Sequence, residues 1–562
     1  MKHVKTLLLV ISGAVLFSFS HPGFIFENGL GVLGFLALIP VFISIHRVSL
    51  KSAWLWGLFY GGLSYGLLCY WLASFNPYTI YIGVLGFALI MALVFELLKL
   101  TDTLFSRQSP GSSPYAMALL WCVYEYLKTK GFLGFSYGII GYSQWNSSLL
   151  IQSASLFGVW GVSALCVFTS AFFSSFILSA WSLGEGGKKS LAVKNLFAAL
   201  KSEMIPAVIL FASFMFFFVF GAARLSSCGK KSAGKSLSVA CIQNNTDSDK
   251  YGFDVYKRDV ANLIDLSEKA IAEHPEVELV VWPETAVVPP IVFHYTRKLD
   301  EKRVRMIEEL LGFMEKSGRA FVIGNQMSVD NGGKYTDDYN AALLFDSEKN
   351  NIMPPEPETY YKMHLVPFTE YFPYEKIAPK LYKMLLMGDT HLWTPGTEAK
   401  VFSARGLDFS VPICFEDSFG SLCRSFVKKG ARCFVNISND SWSSSNPCQI
   451  QHLSMSVFRS AECAVPSVRS TASGITCFVD LCGRVHNKSE PFAMNYVVCD
   501  VPVLDDYSPT LYVRFGDWLP CLEILVLALI FILRAFPLIF MRLKGENAGK
   551  SSEKARQKNK NS

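Results

Sequence analysis

The chain has 562 residues, of which 51% are hydrophobic, 14% aromatic and 17% charged, with a formal net charge of +6. Disorder needs low hydrophobicity with high net charge, and an average soluble domain carries roughly 25% charged residues, so this composition excludes a disordered tail protein and argues against a wholly soluble one. Fourteen cysteines in a chain of this length are too dilute for a small disulfide scaffold.

The apolar residues are unevenly spread. Residues 1–222 hold 18 of the 98 charged residues, a density that fits membrane-crossing helices rather than a soluble fold. Uncharged runs cover 6–20, 29–45, 53–74, 80–95, 150–181 and 204–222, with a weaker one at 115–127. A bilayer core needs ~20 apolar residues per helix. Residues 1–222 are therefore expected to form a membrane domain of about seven transmembrane helices. The first run ends in Phe-Ser-Phe-Ser-His-Pro without a small-x-small cleavage site, so it reads as a retained helix rather than a signal peptide.

Residues 236–505 have ordinary charge density and turn-rich strand patterns and read as a folded domain. Residues 518–540 read as one more transmembrane helix and 541–562 as a basic tail. Loop charge sets the orientation. Lys2 and Lys5, then Arg47 and Lys51, then Lys188, Lys189, Lys194 and Lys201 mark alternate loops as cytoplasmic. Both termini then face the cytoplasm and the 236–505 domain faces outward. Lys128, Lys130 and Arg224 fall on the outer side in this scheme. The tail carries seven Lys or Arg against two Glu. It reads as an inside-facing topology signal and not as a nucleic-acid surface.

Within 236–505, strand patterns at 237–243 (LSVACIQ), 278–282 (ELVVW), 320–324, 341–346, 409–414 (FSVPIC), 433–438 (CFVNIS) and 475–480 alternate with helical patterns at 254–274, 303–317 and 452–464. Alternating strands and helices predict an α/β layered fold. Polar residues follow several strands directly, where sites in such folds lie.

Three segments carry chemistry: Trp282-Pro283-Glu284, Tyr361-Lys362-Met363-His364 running on to Glu370, and Ile413-Cys414-Phe415-Glu416. A thiol is a poor nucleophile until a base removes its proton, and Glu284 can serve as that base for Cys414. Lys362 can stabilise a developing oxyanion. Each residue also has an ordinary alternative. A buried cysteine is usually a small hydrophobe, a Glu after Trp-Pro is usually a turn residue, and a lysine is usually solvated. His364 reads as structural, because Glu and Lys already fill the acid–base roles. The aromatic stretch 368–374 suits either a lipid-facing lip or core packing. Glu96 and Glu125 suit either a polar path or interfacial placement. No phosphate-binding loop or metal-ligand spacing is present in the sequence.

Taken in order, Trp-Pro-Glu, Lys-x-His-Leu-Val-Pro-Phe-x-Glu and Ile-Cys-Phe-Glu resemble the nitrilase superfamily with its Glu–Lys–Cys triad. Within a multi-span chain, the pattern resembles its membrane branch, the apolipoprotein N-acyltransferases of bacterial envelopes. Further segments match: Tyr339-Asn340, Asn436 to Trp442, Gln451-His452, Arg469-Ser470-Thr471 and Tyr512 to Trp518. The resemblance implies a polytopic α-helical membrane protein carrying an α/β domain, a nitrilase-like α-β-β-α sandwich. It implies Glu284 as base, Lys362 as oxyanion stabiliser and Cys414 as nucleophile. Glu370 would support Lys362, Glu416 matches another functional position, and the Phe415 N–H would face the oxyanion. Tyr251 and Trp442 stand at substrate-binding positions.

The implied reaction moves an acyl chain from a phospholipid to the α-amine of a diacylglyceryl-modified N-terminal cysteine of an apolipoprotein. It would run by ping-pong through a cysteine thioester and need no cofactor or metal. The implied partners are the phospholipid donor, the diacylglyceryl-apolipoprotein acceptor and the bilayer, without nucleic acid and with the chain as a monomer. The implied location is the bacterial inner membrane, with the catalytic domain in the periplasm. Three departures bear on substrate preference: Lys250-Tyr251 replaces the usual Lys-Trp, Ser443-Ser444 replaces Phe-Gly after Trp442, and Phe415 replaces a tyrosine. The alternatives are a membrane-anchored amidase using water, acyl transfer to another amine, and a transporter with an inactive outer domain.

Overall fold

The computed structural model describes residues 2–75, 79–106, 112–182, 193–231, 234–247, 251–330, 332, 336–386 and 392–534. The basic tail 541–562, the end of the 518–540 run, Lys188, Lys189 and Lys250 lie outside the described residues.

Among the described residues four helices are long and apolar enough to cross a membrane: His3–Ser20, Gly83–Ser106, Val159–Trp181 and Met204–Cys228. In lipid the helical backbone is the means of satisfying every N–H and C=O of such apolar segments. Not every expected run forms one continuous helix. Run 29–45 divides into a 3-10 turn, Gly31–Phe35, and a helix, Ile39–Arg47 with Pro40 at its start. Run 150–181 opens with a 3-10 turn, Leu150–Ser153, and one α-helical turn, Ala154–Phe157, before the long helix from Val159. Residues 518–534 are helical. Helix Leu50–Leu68 lies closely on helix Thr79–Ser106, and a Cβ at Gly57 would stand 2.2 Å from the Met91 carbonyl. Small residues at such a crossing let two backbones approach.

The outer domain is built on twelve strands: β1 (Ser236–Gln243), β2 (Leu279–Val281), β3 (Ala320–Asp330), β4 (Thr336–Asp346), β5 (Glu358–Tyr361), β6 (Phe402–Ala404), β7 (Leu407–Ser410), β8 (Cys433–Ser438), β9 (Ser467–Thr471), β10 (Cys477–Val479), β11 (Val485–His486) and β12 (Asn495–Pro502). They form two six-stranded sheets in the orders β12-β1-β2-β3-β4-β5 and β11-β10-β9-β8-β7-β6. Strand residues point alternately to opposite faces, and β1 shows the result. Val239 and Cys241 join the core shared by the two sheets, whereas Ala240 and Ile242 pack under helices Phe253–Glu273 and Glu301–Ser317. The fourth layer is helix Asn446–Cys463. Its residues from Pro447 to Cys463 are buried, because one side meets β10 and the other meets Tyr142 and Ile151 of the membrane half. A disulfide between Cys228, at the end of an apolar helix, and Cys482, in the β10–β11 turn, also joins the halves.

One strand expectation is corrected. The 409–414 pattern stops at Ser410, and beyond it only Ile413 bridges, to Ile437. Pro412 has no N–H to give a ladder, and Cys414 turns to a φ of +56°.

Candidate active site

The chemistry-bearing side chains gather at strand ends. Glu284 follows β2, Lys362 follows β5, Cys414 lies beyond β7 and Asn439 follows β8. All four line one cavity of about 400 Å³. Gly324 on β3 permits this arrangement: a Cβ there would stand 2.4 Å from the Pro283 carbonyl and 2.6 Å from Glu284 Cα.

Lys362 sits between two carboxylates. Its Nζ lies 2.9 Å from Glu284 Oε1 and 2.9 Å from Glu370 Oε1. Asn340 Nδ2 donates to the same two oxygens at 2.8 and 3.3 Å. The Asn439 N–H fixes Glu284 Oε2 at 3.0 Å, and the Val366 N–H fixes Glu370 Oε2 at 2.8 Å. Lys362 is 1% exposed. Burial opposes its charge, but Glu284 and Glu370 outweigh that penalty and hold the ammonium well above the ordinary lysine range.

Cys414 opens a one-turn helix, Cys414–Ser418. Its left-handed backbone is a strained conformation for a residue with a Cβ, of the kind that clusters at functional sites. Burial first, and the negative charge of Glu284 second, push its thiol well above the usual range, while Lys362 opposes them. The resting group is therefore a neutral thiol that needs a base. Phe415, next in the turn, lies with its ring 5.6 Å from Lys362 Nζ. The first N–H groups of any helix have no partner within it, and Phe415 is the second residue of this turn.

Glu416 does not face the reaction chamber with the others. It ties Lys362's loop to Cys414's turn, accepting from Met363 N at 2.7 Å, His364 N at 3.0 Å, Ile413 N at 2.8 Å and Tyr360 Oη at 3.0 Å. Burial pushes its carboxyl up to about 7. His364 stacks on Phe419 with ring centres 4.5 Å apart, and burial lowers its basicity.

Trp442 lines the cavity and packs on Trp71 from the membrane half, with ring centres 5.6 Å apart. Leu72 and Phe135 add further apolar wall from that half. Phe368, Tyr371, Phe372 and Tyr374 gather around Phe132, the nearest ring centre at 5.4 Å. Tyr251 is not brought to the cavity; it stands exposed just before helix Phe253–Glu273. Glu96 and Glu125 are also absent from the lining. Glu125 is occupied by Trp121, the Ile140 N–H and Ser163.

Two lining residues carry charges that motif reading leaves without a role. Asp440 and His452 border the cavity and join Asp417 and Arg469 in a buried cluster. The residue types are visible in the sequence, but nothing in linear spacing says that four charges from four elements converge. Among the described residues no three His, Cys, Asp or Glu side chains are grouped to hold a metal ion.

Residues 12–172 match the family profile described as apolipoprotein N-acyltransferase N-terminal domain, and residues 238–505 match the carbon-nitrogen hydrolase profile. Over 94% of its length the chain is 40% identical to apolipoprotein N-acyltransferase 1 of Treponema denticola, covering 96% of that protein. It is also 40% identical to apolipoprotein N-acyltransferase 1 of Treponema pallidum, over 88% of this chain and 90% of that one. The Borreliella burgdorferi apolipoprotein N-acyltransferase is 27% identical over 96% of each chain.

Proposed function

The chain belongs to the apolipoprotein N-acyltransferase family, membrane enzymes of lipoprotein maturation with a carbon-nitrogen hydrolase domain, and we propose that Glu284, Lys362 and Cys414 carry its reaction in two steps. In the first, Glu284 takes the Cys414 proton and Sγ attacks the carbonyl of a phospholipid acyl ester. Lys362 and the Phe415 N–H stabilise the tetrahedral oxyanion. Glu284 returns the proton to the departing glycerol oxygen, and a lysophospholipid leaves a thioester on Cys414.

In the second step the neutral α-amine of a diacylglyceryl-modified N-terminal cysteine attacks the thioester. Glu284 takes an amine proton and passes it to the Cys414 sulfur as the tetrahedral intermediate collapses. An amide and free enzyme result, which is a ping-pong course. Glu370 and Asn340 hold Lys362 and Glu284 in register throughout. The observation that carries this reading is Lys362 bracketed by two carboxylates in the same chamber as the Cys414 thiol.

A phospholipid donor is supported by the apolar wall that Trp71, Leu72 and Phe135 contribute from the membrane half. Excluding bulk water there favours aminolysis over hydrolysis of the thioester. We place the catalytic domain on the periplasmic side of the inner membrane, both termini in the cytoplasm, with seven spans before residue 223, one after residue 517 and the chain acting as a monomer. The basic loops support this orientation, as does the Cys228–Cys482 disulfide, a bond that persists in oxidising compartments. Incubation with phospholipid vesicles alone tests the first step. Mass spectrometry of the Cys414 peptide is expected to find one added acyl chain, and no adduct under conditions of full turnover would overturn the ping-pong course.

A further inference from the structure

Behind the chamber lies a set of buried charges that the acyl-transfer steps leave unused. Asp417 is on the same turn as Cys414, Asp440 follows β8, His452 is on helix Asn446–Cys463 and Arg469 is on β9. Each is 3% exposed or less. His452 Nε2 lies 2.9 Å from Asp417 Oδ1, and its Nδ1 lies 3.1 Å from Asp440 Oδ1. Arg469 pairs with Asp417 and stands 3.9 Å from Asp440. Ser438 Oγ also donates to Asp440, at 3.0 Å.

An ionised carboxylate accepts hydrogen bonds and cannot donate. An imidazole with a carboxylate at each nitrogen satisfies both only as the doubly protonated imidazolium. Two negative charges are then balanced by one guanidinium and one imidazolium. Removing one member of a buried set leaves an uncompensated charge. That charge would sit close to the reaction, because Asp440 already opposes ionisation of Cys414.

The cluster also reaches both partners of the proton transfer. Asp417 shares its turn with Cys414, and Asn439, adjacent to Asp440, gives its N–H to Glu284. We propose that His452, held as an imidazolium between Asp417 and Asp440, is a positioning residue: it locks the nucleophile's turn to the loop that orients Glu284, and it cancels carboxylate charge that would otherwise oppose the thiolate. This rests on Cys414 being the nucleophile. The groups facing His452 are Asp417, Asp440 and Arg469, with Cys414, Tyr137 and Trp442 around the chamber it borders.

The test uses the full chain in phospholipid vesicles. Alkylation of Cys414 by iodoacetamide is followed by mass spectrometry from pH 6 to 10, alongside turnover and thermal unfolding. His452→Gln leaves one carboxylate unbalanced and is expected to slow Cys414 alkylation and turnover roughly ten-fold, moving the alkylation profile about one pH unit upward. The double variant His452→Gln/Asp440→Asn restores the charge balance and is expected to recover most of the alkylation rate. An unchanged alkylation profile in His452→Gln would overturn the inference, and so would a double variant that alkylates no faster than the single one. Cys414→Ala, assayed in parallel, separates the premise: full activity there removes the nucleophile assignment itself, whatever His452 does.

Discussion

The Asn439 N–H donates to Glu284 Oε2 at 3.0 Å and so joins the end of β8, in one sheet, to the end of β2, in the other. Glu284, the base of the proposed mechanism, is thereby held from both sheets, with Lys362 and Asn340 on its other oxygen. In the proposed mechanism a proton acceptor fixed at both oxygens loses little orientational freedom when the thiol approaches, which would contribute directly to rate.

Lys362→Met removes the cation from between Glu284 and Glu370. Turnover is expected to fall by at least about 10²-fold, the scale for loss of one oxyanion donor. Stability is expected to fall by roughly 3–5 kcal/mol, because buried Glu284 and partly buried Glu370 lose their partner. Glu370→Gln keeps an acceptor for Lys362 and should be milder on both counts. Steady-state assay and thermal unfolding of the two variants check the order; a Lys362→Met protein with unchanged turnover would contradict the electrostatic role.

The chain is expected to lose stability on both sides of neutral pH through the buried cluster. Burial lowers His452's basicity, but Asp440 and Asp417 outweigh it and raise the group to about 9, so its contribution is complete below the unfolded value near 6.5 and disappears as pH rises through about 9. Asp417 and Asp440 are held below the usual carboxylate range despite burial, by Arg469 and His452 in the first case and His452 in the second. Their contribution is complete above the ordinary carboxylate value and is lost on acidification. Thermal unfolding across pH 2–10 should show a plateau from about 4 to about 6.5 with stability falling on either side of it, and His452→Gln should flatten the alkaline arm. An alkaline arm of wild-type steepness in that variant would sink this assignment.

Reduction of the Cys228–Cys482 bond should loosen the join between the membrane half and the outer domain. The two residues are 254 apart in sequence, and closing a long loop contributes a few kcal/mol, ~2–4 in typical cases. Peptide mapping without reductant should recover Cys228 and Cys482 linked, and Cys482→Ser should unfold at lower temperature. Free, alkylatable thiols at both positions in the folded protein would count against the bond and weaken the periplasmic placement.

How much of this was legible in the sequence follows from what kind of contact carries each feature. Glu284, Lys362 and Cys414 each sit inside a short motif, and it is the resemblance of the three motifs in order to the nitrilase pattern, not their spacing, that points to one site before any fold is known. The α/β layering is equally visible, since strand and helical patterns alternate along residues 236–505, while β1 itself is buried on both faces. The cluster of Asp417, Asp440, His452 and Arg469 is different. Its members are ordinary polar residues in four separate elements, and only tertiary packing gives them a common charge balance. The 409–414 strand misleads for a local reason: Pro412 and the left-handed Cys414 break a ladder that hydrophobicity alone would continue. Tyr251 is a surface residue, so its motif position alone does not bring it to the chamber.

The most direct measurement is conversion of a diacylglyceryl-cysteine peptide by the full chain in phospholipid vesicles, comparing wild type with Cys414→Ala and reading the product by mass. The account predicts that wild type adds one acyl chain to the peptide α-amine while Cys414→Ala, folded and membrane-inserted, adds none. Undiminished N-acylation by Cys414→Ala, or release of free fatty acid in place of the N-acyl peptide by wild type, would contradict it.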